Sequence, residues 1–367
     1  MKITKFFALL CAIAVGFVAC DKKQSEPTPE PSGNITLSAD TTAVSIGETV
    51  TFKVTDAAGQ DVTAAATIYD PDLNVVEGGK FKAVTSGSFS FFATVGSENS
   101  NYLTISVLAE APEVPEDPQP ANLKFNHRAL VIDHTGVGCG YCPVAMDELL
   151  ALSKTEWHDH YNEVTCHAGT YAGSDPARSS AADMLNAFQS NYFRGYPSII
   201  VNFYSKCADY GKNSIINTLK SVVNEEGADV GISLAVAGDA TQIYCTAQIK
   251  SAYAREYKVN AWLLENNIYS PGQANATKDY HKVYNFALRN SSEPLSRTDV
   301  AGVSIGTLEA GQTFEYAKAI PITNVKWMWE NMGVLVIVSA KDGNNRWDVV
   351  NTAYCPVGES KAFEYIE

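Results

Sequence analysis

Apolar and polar residues alternate at period two in two stretches of the chain, and the stretch between them follows a different rhythm. Over 34–108, the sets Ile35/Leu37, Val50/Phe52/Val54, Phe89/Phe91/Ala93/Val95 and Leu103/Ile105/Val107 put apolar side chains on one face of short extended segments. Gly47, Gly59, Gly78, Gly79, Gly87 and Gly96 punctuate these runs at turn positions, which predicts a small antiparallel β-sandwich. From Asn122 the period changes. Short apolar runs fit buried strands at 129–132, 164–167 and 198–203, while 143–152, 181–190 and 214–226 read as helices. In the last of these, Ile215, Ile216, Leu219, Val222 and Val223 form one stripe. This order predicts an α/β domain over 122–227. Past Gly227 the alternation returns at 230–236, 243–249, 259–264, 314–319 and 334–338, which predicts an all-β sandwich over 228–367. The expected class is therefore multidomain α+β.

Two proline-rich seams separate these blocks. The first, 20–33, carries Pro27, Pro29 and Pro31 and reads as a tether reaching up to about 40 Å in polyproline II form. The second, 109–121, carries Pro112, Pro115, Pro118 and Pro120 among acidic residues and reads as a linker, because such composition favours extended backbone over a packed core.

The first residues have the order of an export signal: Lys2 and Lys5, then the apolar run 6–18, then the small residue Ala19 before Cys20. That run is shorter than the roughly 18 to 20 residues a membrane-spanning helix needs. Phe17-Val18-Ala19-Cys20 resembles a relaxed lipobox of bacterial lipoproteins, which implies cleavage of 1–19 and a lipid on Cys20. Export in turn makes disulfides persistent. The formal charge of −14, with no clustered Lys or Arg to offset it, sets nucleic acid aside as a partner.

The chemistry centres on Cys139-Gly140-Tyr141-Cys142-Pro143, between a predicted buried strand and a predicted helix. At a helix start, unpaired backbone N–H groups and the positive dipole end stabilise a thiolate, so Cys139 is expected to be the nucleophile. Cys142, one turn on, is expected to resolve a mixed disulfide. Asp133 at the end of the preceding strand is expected to be buried, with a raised pKa, and to exchange a proton with Cys142. Tyr196-Pro197, just before the next strand, is the expected place for substrate backbone to pair, beside Tyr141 of the motif. A zinc site is not expected, because no second CxxC supplies the remaining ligands. No cofactor is expected beyond the disulfide itself.

Together Asp133, Cys139, Cys142 and Pro197 resemble the buried acid, redox cysteines and cis-proline of the thioredoxin fold, and Gly140-Tyr141 is similar to the dipeptide of periplasmic disulfide isomerases. Thr135-Gly136, the CGYC motif and Cys166-His167-Ala168-Gly169 resemble the outer-membrane-protein twenty-eight family over roughly 122–367. That resemblance implies a central thioredoxin-like domain on an outer-membrane lipoprotein facing periplasm or cell surface. The segment opening ITLSADTTAVSIGETVTFKV is similar to bacterial immunoglobulin-like modules, which implies an Ig-like sandwich serving as a spacer.

Other residues carry weaker signals. Cys245 and Cys355 both fall in the C-terminal block and Cys166 and Cys207 both flank strands of the central one, so each pair either forms a structural disulfide or stays as buried thiols. His167 reads as a structural histidine, His158-Asp159-His160 as a solvated loop, and Trp327 and Trp329 as neighbours on one face of a strand. Two functions remain open. One is a thiol–disulfide oxidoreductase or isomerase acting on the thiols and disulfides of exported proteins, which predicts an exposed, reducible bond. The other is a surface binding or adhesion lipoprotein whose frame is redox-inactive.

Overall fold

The computed structural model describes residues 35–45, 48–83, 87–108 and 112–366. The predicted signal 1–19, Cys20 and the tether 20–33 lie outside the described residues. The chain is mostly β-sheet with three α-helices among the described residues, and it divides into two compact units.

The first unit comprises 35–40 of the described residues with Thr51–Lys80 and Ser90–Leu103. Its strand Ile35–Ala39 runs antiparallel to Thr49–Asp56, with Leu37 opposite Val54. Thr67–Tyr69 runs antiparallel to Gly87–Val95. Alternation puts Leu37, Phe52, Val54, Ile68 and Phe91 inside, with the Phe52 and Phe91 rings 4.8 Å apart. This region is β-built, as its period-two pattern predicts.

The second unit contains the rest and is organised by a nine-stranded sheet. Its strands in chain order are β1 (Ala129–Thr135), β2 (Tyr161–His167), β3 (Ser198–Val201), β4 (Ser205–Lys206), β5 (Arg255–Glu265), β6 (Ala287–Ser291), β7 (Val303–Leu308), β8 (Met332–Lys341) and β9 (Trp347–Pro356). The spatial order is β4-β3-β1-β2-β6-β5-β8-β9, with β7 also paired to β5. Helices α1 (Cys142–Leu152), α2 (Ser180–Gln189) and α3 (Lys212–Val222) follow the predicted segments to within a few residues.

Each face of this sheet is covered, which is why β1 is buried at every position. On one face Ala129, Val131, Ile199 and Val201 pack against Leu149 and Leu152 of α1 and Ile215 and Leu219 of α3. Further along the same face, Val259, Leu263, Val334 and Val336 pack against Ile232, Leu234, Ile243 and Ala247 of a second, four-stranded sheet. That sheet has the order Thr313–Pro321, Gln242–Ser251, Val230–Gly238, Ser360–Lys361. On the opposite face, Leu130, Ile132, Val164, Trp262, Leu264 and Leu335 receive Ala182 and Leu185 of α2.

The expectation of a separate central α/β, thioredoxin-like domain followed by a separate C-terminal sandwich is overturned by this sheet. The strands of 122–227 form only one end of it. Thr165 of β2 lies opposite Ala287 of β6, and the Thr165 amide donates to the Phe286 carbonyl at 2.9 Å, so the sheet runs on into the C-terminal half. An isolated domain would leave the edge of β2 unpaired although Val164, Thr165 and Cys166 are buried there. The C-terminal half likewise supplies one whole sheet and only part of the other.

Several local expectations also change. The strand expected over 198–203 stops at Val201 because Asn202, at φ 54°, turns the chain into a hairpin that pairs Val201 with Ser205. Trp329 sits in a 3-10 turn (Trp329–Asn331) and Trp327 in the turn before it, not on a strand; both are half-buried against the sandwich core. Glu156–His160 is a 3-10 helix rather than an irregular loop. Residues 112–121 form neither helix nor strand, and they are pinned to the body. Lys250, almost fully buried, extends Nζ to Asp117 Oδ2 at 2.8 Å and to the Pro120 carbonyl at 2.6 Å.

Candidate active site at the Cys139–Cys142 disulfide

Strand β1 delivers the chain to a tight turn, and the turn delivers the cysteines to α1. Gly136 is required there, since a Cβ at that position would stand 2.8 Å from the Tyr171 carbonyl oxygen. Gly138 donates its amide to the same oxygen at 2.9 Å. Cys139 and Cys142 form a disulfide with Cα atoms 5.4 Å apart. Cys142, not Cys139, is the first helical residue; Cys139 lies in the turn before it, its amide donating to Gly136. The first turn of α1 has no acidic residue and no side-chain cap, so its positive end faces the sulfur pair unopposed.

The disulfide is covered. Cys139 is 2% exposed and Cys142 fully buried, which corrects the expectation of an exposed bond. The cover is the excursion between β5 and β6, closed at its base by Ile268–Tyr269 pairing with Val283–Tyr284. At its crest Gln273 Nε2 donates to the Cys139 carbonyl at 3.0 Å, the Ala274 amide to the Val137 carbonyl at 2.8 Å, and Asn275 Nδ2 to the Gly140 carbonyl at 3.1 Å. Tyr284 holds Gln273 in place by donating its hydroxyl to Oε1 at 2.7 Å. The Tyr284 ring lies 4.4 Å from that of His167, whose Nδ1 meets Asp175 Oδ2 at 2.8 Å. Asp175 returns to the turn by accepting the Val137 amide at 2.7 Å.

On the same side of the sheet as α1, residues of α1, β1, β2 and the returning arm of the excursion line a half-open cavity of about 320 Å³. Asp133, Glu163, Thr165 and His167 form its sheet floor, because Asp133 lies opposite Thr165 and the other two follow at alternate positions. Met146, Leu149, Leu150 and Phe286 are among its apolar walls. Burial first, and the Glu163 charge second, push the Asp133 carboxyl well above the usual carboxylate range. Burial raises Glu163 to about 7. Burial also acts on Asp175, but hydrogen bonding and charge from His167 outweigh it and hold that carboxyl below its ordinary value.

The remaining predicted site residues fall around the same turn. Tyr196-Pro197 is a cis peptide, and since Ser198 lies opposite His134, the pair stands beside the end of β1 from which the cysteine turn springs. Tyr196 donates its hydroxyl to Asn186 and its ring lies 5.6 Å from that of Tyr171. Tyr141 is 70% exposed. The possible disulfides do not form: Cys166, Cys207, Cys245 and Cys355 are buried free thiols. Cys245 and Cys355 point into the sandwich core, Cys207 into the core under α1 and α3, and Cys166 donates to the Ala182 carbonyl of α2. No group of three His, Cys, Asp or Glu able to hold a metal exists among the described residues.

Gln273, Tyr284, Asp175 and Glu163 were not singled out from the sequence. Glu163 carried a readable signal, an acid inside a strand of otherwise buried pattern; Gln273 and Tyr284 are brought to the site only by long-range packing.

No family model matches the chain, and no curated protein matches it either. Among solved structures it is similar to HBP35 of Porphyromonas gingivalis, with TM-score 0.52 and 15% identity over 66% of this chain and 78% of that one. This is a likeness of fold. Yersinia pseudotuberculosis adhesin InvE, at TM-score 0.16 and 8% identity, spans 91% of this chain and 59% of that one. E. coli alpha-2-macroglobulin, at 0.17 and 10%, spans 88% and 14%. Superpositions that poor carry no argument.

Proposed function

We propose that the chain is a lipid-anchored envelope protein that performs thiol–disulfide exchange on exported proteins. The observation that carries this reading is the Cys139–Cys142 disulfide closed at the uncapped start of α1. In the reduced protein, the Cys139 thiolate attacks one sulfur of a substrate disulfide, forming a mixed disulfide and releasing one substrate thiolate. Cys142 then attacks Cys139 Sγ, re-forms the internal disulfide and releases the second substrate thiolate, while the Asp133 carboxylate takes the Cys142 proton. The substrate is reduced by two electrons and the cysteine pair oxidised; the reverse sequence oxidises a substrate dithiol. Tyr196-Pro197 and Tyr141 flank the turn where substrate backbone would lie. The export-like order of Lys2, Lys5, 6–18 and Ala19-Cys20 supports the anchor, and the motif resemblance to the outer-membrane-protein twenty-eight family supports the outer membrane.

A second reading, a surface binding protein on a redox-inert frame, is favoured by one observation, the 2% exposure of Cys139 beneath Gln273 and Asn275. The pH dependence of Cys139 alkylation in the reduced full-length chain separates the two. Exchange chemistry requires a midpoint well below the unperturbed value of about 8.5. A midpoint at or above it rejects the proposal in favour of the inert frame.

A further inference from the structure

The cavity beside α1 has a floor and walls of opposite character. Asp133 Oδ1 and His167 Nε2 have no hydrogen-bond partner among the described residues, although both residues are 1% exposed and line the cavity. Native interiors seldom leave such atoms unpaired, because the desolvation is then uncompensated. His167 meets Asp175 through Nδ1, which leaves Nε2 as the ring nitrogen without a partner. Four of the hydroxyls around the cavity are committed as donors, Thr165 to the Asn285 carbonyl, Tyr284 to Gln273, Ser153 to the Leu150 carbonyl and Tyr280 to Asp147, while Thr135 and the Asn285 side chain also line it. The floor thus brings two carboxyl groups, Asp133 and Glu163, to the cavity, and what faces it from α1 and the excursion is largely apolar.

We propose that this cavity binds a small organic cation, an ammonium or amidinium group on an apolar body, with its charged end on Asp133 and Glu163 and its body against Met146, Leu149 and Phe286. Its volume of about 320 Å³ lies at the lower end of small-molecule sites. The two acids on the floor disfavour an anion, and a purely apolar molecule leaves Asp133 and His167 unpaired. The titratable groups facing the charged end are Asp133 and Glu163 from β1 and β2 and His167 backed by Asp175; α1 presents only Met146, Leu149, Leu150 and Ser153, and the excursion Tyr280 and Tyr284. Since Glu163 titrates at about 7, the site gains its negative charge, and its affinity for a cation, as pH rises through neutrality.

The test is calorimetry on the oxidised full-length chain with 2-phenylethylamine, 2-phenylethanol and phenylacetate, so that it is independent of exchange at Cys139. The amine is expected to bind saturably, at least about tenfold tighter than the alcohol and about tenfold tighter at pH 8 than at pH 6, with no binding of phenylacetate. Leu150→Trp, on the cavity rim, and Glu163→Gln are each expected to weaken the amine by at least about tenfold. Absence of saturable amine binding up to about 10 mM overturns the proposal. So does equal binding of phenylacetate, or unchanged affinity in a folded Leu150→Trp protein.

Discussion

Gln273 is joined to Cys139 across 134 residues of chain, its Nε2 donating to the Cys139 carbonyl at 3.0 Å while its Oε1 accepts from Tyr284 at 2.7 Å. The relationship makes access to the disulfide a property of the C-terminal half. Cys139 is 2% exposed beneath the crest of the excursion.

Removing that amide should loosen the cover. Gln273→Ala is expected to accelerate reduction of Cys139–Cys142 by dithiothreitol about tenfold, the equivalent of one or two buried hydrogen bonds. Quenched alkylation followed by mass spectrometry reads the rate. An unchanged rate would show that the excursion does not limit access.

The four free cysteines among the described residues sit in packed cores, and burial pushes all four thiols up, Cys245 to about 12 and Cys355 to about 11. Without reductant, iodoacetamide should leave the peptides bearing Cys166, Cys207, Cys245 and Cys355 unmodified in the native protein and label all four in denaturant. Failure to label any pair after denaturation would identify a disulfide there.

Glu163 links stability to pH. Its carboxyl ionises near 4.5 when the chain is unfolded and at about 7 when folded, so between those values the native state holds the extra proton. Stability must then fall as pH rises from 4.5 to 7 and stay lowered above that. Discounted for partial exposure, the loss amounts to about 2 kcal/mol. Urea titrations of Glu163→Gln at pH 5 to 8 should show that decline flattened, and a parallel decline in variant and parent would refute the assignment.

Lys250 holds 112–121 through Asp117 and the Pro120 carbonyl, with the Phe125, Phe363 and Tyr365 rings around its ammonium. Lys250→Met keeps the packing but drops charge-assisted bonds, at a cost of about 2 kcal/mol. Limited proteolysis should then cut within 112–121 faster than in the parent, and equal cutting would mean that this segment is held by something else.

Much of the local structure was legible because it is written in periodicity. The stripe Ile215/Leu219 marked α3, the buried run at 129–132 marked β1, and the alternation at 243–249 marked a sandwich strand. The CGYC spacing pointed to the disulfide because four residues are enough to specify a turn into a helix. What was not legible is pairing between distant strands. Nothing in Tyr161–His167 says that its free edge meets Ala287–Ser291 rather than solvent, and the proline seam before Asn122 suggested a domain boundary logic that the sheet ignores after Gly227. Gln273 was invisible for the same reason: an isolated glutamine in a loop carries no period.

The continuity of the large sheet through Thr165 and Ala287 bears on how the protein is made. While the chain is emerging from the ribosome, the residues of β1, β2 and the cysteine turn are made well before those of β5 and β6. During that interval β2 has an open hydrogen-bonding edge and the cysteine pair has no cover, which leaves the nascent chain most open to oxidation and to mispairing before the C-terminal half arrives. The finished protein closes both at once.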